Sequence, residues 1–281
     1  MAAFVPRILG WLRDLPDPRD YGVAHATVKE LFGGLPRRRS PRARLATALT
    51  WEEYLPPVDD QLAAASSAHA CVALIEYFSR RTYGRCPRGS SRFLYDMARR
   101  LLRASGDSGA ALRTTLKALR RFGLPPREFW AETEAGDREP PGFLFSFARE
   151  YQPLVYVRLD ASGQEGRRTL AAVKSFVAAG LPVAFGFTVF DSLAAEADVP
   201  YPTCFDGPLG GQAGVAVGYD DGRRICSEKG ALRVRNSWGP HWGDAGHGWL
   251  PYRYVLDRLA ADFWTVLRPD WLASGEFTSP V

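Results

Sequence analysis

Leu232-Arg233-Val234-Arg235-Asn236-Ser237-Trp238-Gly239 is the stretch that decides how this chain is read: a run that reads as a strand and carries a short amide side chain at its end, followed by the Gly-rich segment Pro240-His241-Trp242-Gly243-Asp244-Ala245-Gly246-His247-Gly248-Trp249-Leu250. An Asn at a strand end cannot itself move a proton. Its amide can orient a neighbour, holding an imidazole by the far nitrogen so that the near one accepts a proton. Asn236 therefore reads as an orienter, and the question is what it orients.

Outward from this run, β-branched and aromatic stretches bounded by Gly or Pro recur at residues 154–157, 183–189, 214–219 and 263–267. One helix, residues 169–179 closed by Gly180, interrupts them. Between Ser66 and Arg121 the apolar residues recur instead at helical spacing, as in Leu94, Met97 and Leu101 and again in Leu112, Leu116 and Leu119, the latter run ending near Gly123. Helices first and strands later indicate an α+β fold. A chain of 281 residues with 46% apolar composition can bury a sizeable core as one two-lobed unit.

The stretch from Gly230 to Tyr252, with Asp262-Phe263-Trp264-Thr265 after it, resembles the C-terminal part of bacterial papain-like cysteine peptidases of family C1. Leu181-Pro182-Val183-Ala184-Phe185-Gly186, Gly210-Gly211-Gln212-Ala213, Val217-Gly218-Tyr219-Asp220-Asp221, Pro56-Pro57-Val58 with Asp60-Gln61, and Asp14-Leu15-Pro16-Asp17-Pro18-Arg19-Asp20 fall in that family's order. The resemblance covers most of the chain, with residues 21–55 the least similar. It implies a helical N-terminal lobe over about 56–138 and a β-barrel-like C-terminal lobe over about 139–281, preceded by an N-terminal arm, with a substrate cleft between the lobes.

Two departures bear on function. In the family a His follows the paired glycines and serves as general base; here Gln212 follows Gly210 and Gly211, and a neutral amide cannot accept a proton near pH 7. The family's nucleophilic Cys opens a long helix after Gln and a Gly-rich loop; here the run is Gln61-Leu62-Ala63-Ala64-Ala65-Ser66-Ser67-Ala68-His69-Ala70-Cys71. Counting forward from Gln61 puts the nucleophile position at Ser67, and counting back from Ile75-Glu76-Tyr77 puts it at Ser66. Both residues are serines, and either suits a helix N-cap better than a nucleophile without a base. Family resemblance also gives Gln61 the part of an oxyanion donor.

No other residue replaces the missing pair in sequence. Cys71 lies more than a turn into the helix, beyond the dipole end that lowers a thiol pKa, and with Ala70, Leu74, Ile75 and Phe78 it reads as a core residue. Cys204 lies nearer Gln212 but has no accompanying His. His25, His69, His241 and His247 do not match the base position and show no zinc spacing, so they read as surface or packing residues.

Net charge is +5, and the densest basic run is Arg37, Arg38 and Arg39 with Arg42 and Arg44. It reads as a solvated insertion that could attract an acidic partner, while no nucleic-acid motif accompanies it. Residues 4–12 are too short and too interrupted for an export signal, and no apolar run reaches the roughly 18 residues a membrane span needs. A cytoplasmic protein without a long inhibitory prosegment ahead of Asp14 is expected. The expectation for function is a catalytically inactive pseudopeptidase that binds a peptide or protein segment in the former cleft as a partner or accessory protein. The cleft would be lined by Gln61, Ser66, Ser67, Gly211, Gln212 and Asn236, with Trp238 and Trp242 as its wall or as lobe packing. The alternative is a repurposed enzyme carrying out acyl transfer or cyclisation. Neither reading calls for a cofactor or metal.

Overall fold

A computed structural model describes residues 9–36, 45–85, 88–132, 139–148 and 154–281. Arg37, Arg38, Arg39, Arg42 and Arg44 lie outside the described residues, and with them the basic run read as a partner surface. In the N-terminal portion are β1 (Trp11–Leu12), α1 (Ala26–Gly33) and β2 (Ala48–Thr50). The helical part comprises α2 (Ser66–Tyr83), α3 (Ser91–Leu102), the two-residue β3 (Ala110–Ala111), α4 (Leu112–Phe122) and α5 (Phe143–Phe147). The strand-rich part follows: β4 (Val155–Arg158), α6 (Gly166–Ala178), β5 (Val183–Phe190), β6 (Pro208–Ile225), β7 (Glu228–Arg235), β8 (His247–Pro251), α7 (Tyr252–Leu256), β9 (Ala260–Leu267) and α8 (Pro269–Leu272).

Helix α2 is the spine, because Ser66 through Ser79 are all buried and no face is left for solvent. It stops at Gly84, whose left-handed φ of 69° lets its N–H reach the Arg80 carbonyl. Helix α4 buries Leu112, Leu116 and Leu119 as the spacing predicts. It ends at Gly123, where a Cβ would lie 1.5 Å from the Ala148 carbonyl oxygen, so only glycine fits.

Seven strands form one sheet in the order β4-β9-β5-β6-β7-β8, with β2 added to β6. Strand β6 extends well beyond the expected 214–219, because Gly210, Gly211 and Gln212 already pair with Val189, Thr188 and Phe187 of β5. Those glycines, which precede the run expected as a strand, therefore belong to the sheet. The helical and strand parts meet in one core, with Phe78 stacked on Trp271 at 4.8 Å and Phe185 on Phe263 at 5.1 Å. Truncating a buried aromatic such as Phe78 to Ala costs about 3–5 kcal/mol.

The N-terminal arm is tied to this core by buried carboxylates. Asp262 Oδ2 accepts from Trp11 Nε1 at 3.2 Å and from the Asp14 amide at 2.7 Å, while Oδ1 accepts from Arg158 at 2.8 Å. Asp14 in turn accepts from Trp264 Nε1 at 3.0 Å and from the Arg113 amide at 3.2 Å. Asp160 accepts the amides of Asp262 and Phe263 and pairs with Arg158, and Asp20 joins Arg113 to Arg158. Four carboxylates thus face two guanidinium groups, which favours one of them being neutral. Burial, then the neighbouring charges of Asp14 and Asp160, push Asp262 up to about 7 against the pull of Arg158. Burial raises Asp14 and Asp160 as well.

A carboxyl that holds its proton more tightly when folded stabilises the fold most at low pH, and that contribution is lost as pH rises through the folded value. The Asp262 contribution should therefore fall between about pH 4, the ordinary carboxylate value, and about pH 7, while the depressed His247 contributes in the opposite direction over the same window. Asp262→Asn keeps a residue tolerant of the φ of 58° at this position and should flatten that fall by on the order of 4 kcal/mol. Urea midpoints measured across this window test it; identical slopes in the two proteins would assign the titration to another group.

Candidate active-site cleft

Three chain segments converge at the N-terminus of α2. The loop before α2 is fastened to the end of β7, with Gln61 N–H donating to Ser237 O at 2.8 Å and Gly239 N–H to Asp59 O at 3.1 Å. Antiparallel pairing of β6 with β7 brings Gln212 alongside Asn236. The sheet and the loop thus fix three polar side chains around one point.

Gln212 Nε2 donates to Asn236 Oδ1 at 2.8 Å, Gln61 Oε1 at 3.0 Å and Ser237 Oγ at 3.1 Å. Ser237 Oγ donates to Gln61 Oε1 at 2.6 Å, and Gln61 Nε2 reaches Ala63 O at 3.2 Å. The amide of Asn236 is oriented by its own chain, since Oδ1 also accepts the Ser237 N–H at 2.8 Å. All four side chains are buried. Gln61, Gln212 and Asn236, expected together from sequence, are brought together; Ser237 joins them without having been singled out. Its signal was its place directly after Asn236, where a hydroxyl can serve as both donor and acceptor.

The serines behave differently from the expectation. The N-cap of α2 is Ala65, with no side-chain cap, so neither Ser66 nor Ser67 caps the helix. Ser67 Oγ donates instead to Ala110 O on β3 at 2.7 Å, and Ser66 Oγ is buried without a hydrogen-bond partner. Neither hydroxyl bonds to Gln212. Chemically the site offers amides and hydroxyls, with no imidazole or thiol in the network. Cys71 is fully buried and burial pushes its thiol up, away from the thiolate. Cys204 is exposed in a turn closed by Asp206 N–H on Thr203 O.

The histidines have structural partners. His69 pairs with Glu132 at 2.9 Å, both nearly buried, and this pair also holds the loop before α2 through the Leu62 N–H on Glu132. His25 caps α1 and stacks on Tyr21 at 4.0 Å, and His241 is exposed. Burial holds His247 down at about 4, so it is neutral at pH 7. Trp238 and Trp242 are buried edge to face at 5.1 Å, and Trp242 Nε1 donates to Ala194 O at 3.2 Å, so they pack the lobe.

The cleft beside this network is not open. Strand β1 pairs in parallel with β3, in the register Trp11 to Ala110 and Leu12 to Ala111. The Trp11 ring lies over Gly186 and Gly211, the latter among the residues expected to line an empty groove. Gly186 and Gly211 leave room for the chain's own arm. Sequence reading missed this because a two-residue strand has no periodicity; the available signal was Gly10-Trp11 ahead of the Asp14 block.

No family model matches the chain. An uncharacterised peptidase C1-like protein of Acanthamoeba polyphaga mimivirus is 26% identical over 277 residues, covering 93% of this chain and 87% of that protein. Among solved structures, xylellain, a cysteine protease from Xylella fastidiosa, is 27% identical with a TM-score of 0.71, covering 93% of this chain and 97% of that one. Digestive procathepsin L 3 from the larval midgut of Tenebrio molitor is 16% identical with a TM-score of 0.61, over 85% of this chain and 78% of that one, and shares the fold alone. The fold is papain-like, and these likenesses support the C1 peptidase family.

Replacing Gln212 by Met keeps an unbranched side chain but leaves the oxygens of Gln61, Asn236 and Ser237 without their shared donor. The loss should be about 2–4 kcal/mol of stability, several hydrogen bonds' worth in a buried network. Urea unfolding of Gln212→Met measures it, and a change below about 0.5 kcal/mol would mean that the quartet contributes no net stability.

Proposed function

We propose that the protein is a non-catalytic member of the papain-like fold that holds an extended peptide segment in the former cleft, as a partner or accessory protein. The observation that carries this reading is the Gln212 amide bonded to Asn236 Oδ1, where the family resemblance places an imidazole. An amide accepts no proton at neutral pH, and a Ser hydroxyl without a base is barely nucleophilic. Losing such a unit costs on the order of 10⁶ in turnover. The reading of an extended segment is supported by β3, which already pairs with one in cis. No specific observation favours acyl transfer or cyclisation: the Ser67 hydroxyl is donated to a backbone carbonyl, and Ser66 has no base beside it.

The test must separate an inactive centre from a covered one. Wild-type protein and a Trp11→Ala variant, whose arm is loosened, are assayed on a fluorogenic general peptide substrate and with a thiol-directed peptidase inhibitor. Both proteins should stay at the buffer background and take up no inhibitor in the cleft. Hydrolysis that appears on loosening the arm would mean a restrained enzyme instead of an inactive one.

A further inference from the structure

The arm occupies the cleft with a pattern specific enough to read as a recognition code. Gly10 is required because a Cβ there would lie 2.0 Å from the Ala64 carbonyl oxygen, and Gly109, at φ 84°, is required in turn because its Cβ would lie 2.3 Å from the Gly10 carbonyl oxygen. The Ala110 N–H donates to that same Gly10 oxygen at 2.9 Å. Only a residue without a side chain fits there.

The next residue is selected in the opposite direction. A Cβ on Gly186 would fall 1.9 Å from the Trp11 indole and one on Gly211 2.6 Å from it, so the two glycines form a slot for a large flat ring. At its inner end the buried Asp262 carboxylate accepts the indole N–H at 3.2 Å. Phenylalanine would fill the slot but leave that acceptor without this donor. Beyond it, Leu12 is largely exposed, and that position is unselective.

The arm is pinned at Asp14, by Trp264 Nε1 and the Arg113 amide, while residues 9–12 contribute the two-residue ladder, the Trp11 ring with its bond to Asp262, and Leu9 packed beside Gly210. None of these contacts uses the Asp14 side chain that makes the anchor. Building on the peptide-binding reading above, we propose that the slot between Gly186 and Gly211 recognises a Gly-Trp step in an extended segment of a partner protein, with residues 9–12 as a tethered resident that the partner displaces.

The probe is the capped peptide Leu-Gly-Trp-Leu, titrated by calorimetry into full-length protein. Two variants vacate the slot independently: Trp11→Gly removes the ring, and Gly10→Ala expels the segment by collision with Ala64, so that loss of folding in one leaves the other. Saturable binding is expected to both, and at least about tenfold weaker binding to wild type, because the tethered arm competes at high effective concentration. Leu-Ala-Trp-Leu and Leu-Gly-Ala-Leu should bind at least about tenfold more weakly than the probe, a loss of about 1.4 kcal/mol. Adding Gly186→Val to Trp11→Gly should abolish binding. Equal affinity for all three peptides, or for wild type and vacated variants, would overturn the Gly-Trp assignment while leaving a peptide-binding cleft. No binding of any peptide to a folded vacated variant would overturn both readings, and cleavage of the bound probe would overturn the inactivity alone.

Discussion

The Asp262 carboxylate holds three donors from two separate parts of the chain, and the geometry of the cleft depends on it. Its oxygens take the Trp11 indole, the Asp14 amide and the Arg158 guanidinium. The residue adopts the left-handed backbone region within β9, a conformation that costs energy in a non-glycine residue and persists because the surroundings over-determine it. Through this one side chain the arm, β4 and β9 share a common reference point. Removing it would leave buried donors without an acceptor, which is a larger penalty than the net value of the bonds themselves.

The second constraint is the valence of a primary amide. Gln212 has two N–H groups and one carbonyl, and three oxygens crowd its nitrogen. Such a group can join loop and sheet as a structural tie, but it has no basic lone pair to deliver. Ser66, Ser67 and Gln212 are all buried. With no thiolate or imidazolium to accommodate, the same location can be packed like any other part of the core.

The sequence made the helical spine, the α+β order and the convergence of Gln61, Gln212 and Asn236 legible, because each rests on strong local signals: 3.6-residue periodicity around Leu112, Leu116 and Leu119, a Gly stop at Gly123, and an Asn at a strand end. Signals that depend on tertiary approach were not legible. Strand β8 was missed because His247 and Gly248 sit inside a Gly-rich run and acquire strand character only by pairing with Arg235 and Val234. The cap expected at Ser66 or Ser67 lost to a long-range alternative, since Ser67 finds the Ala110 carbonyl of β3, 43 residues along the chain. Gly186, Gly210 and Gly211 could not disclose what they make room for until the arm was in place.

The brevity of β1 has a consequence for motion. A ladder of two residues adds little backbone pairing, so the amide of Ala110, bonded to Gly10, is protected chiefly while the Trp11 ring stays seated, whereas amides on β5 and β6 lie inside longer ladders. The cover over the cleft is therefore held by one ring and its carboxylate partner more than by backbone pairing, with Asp14 as its tether.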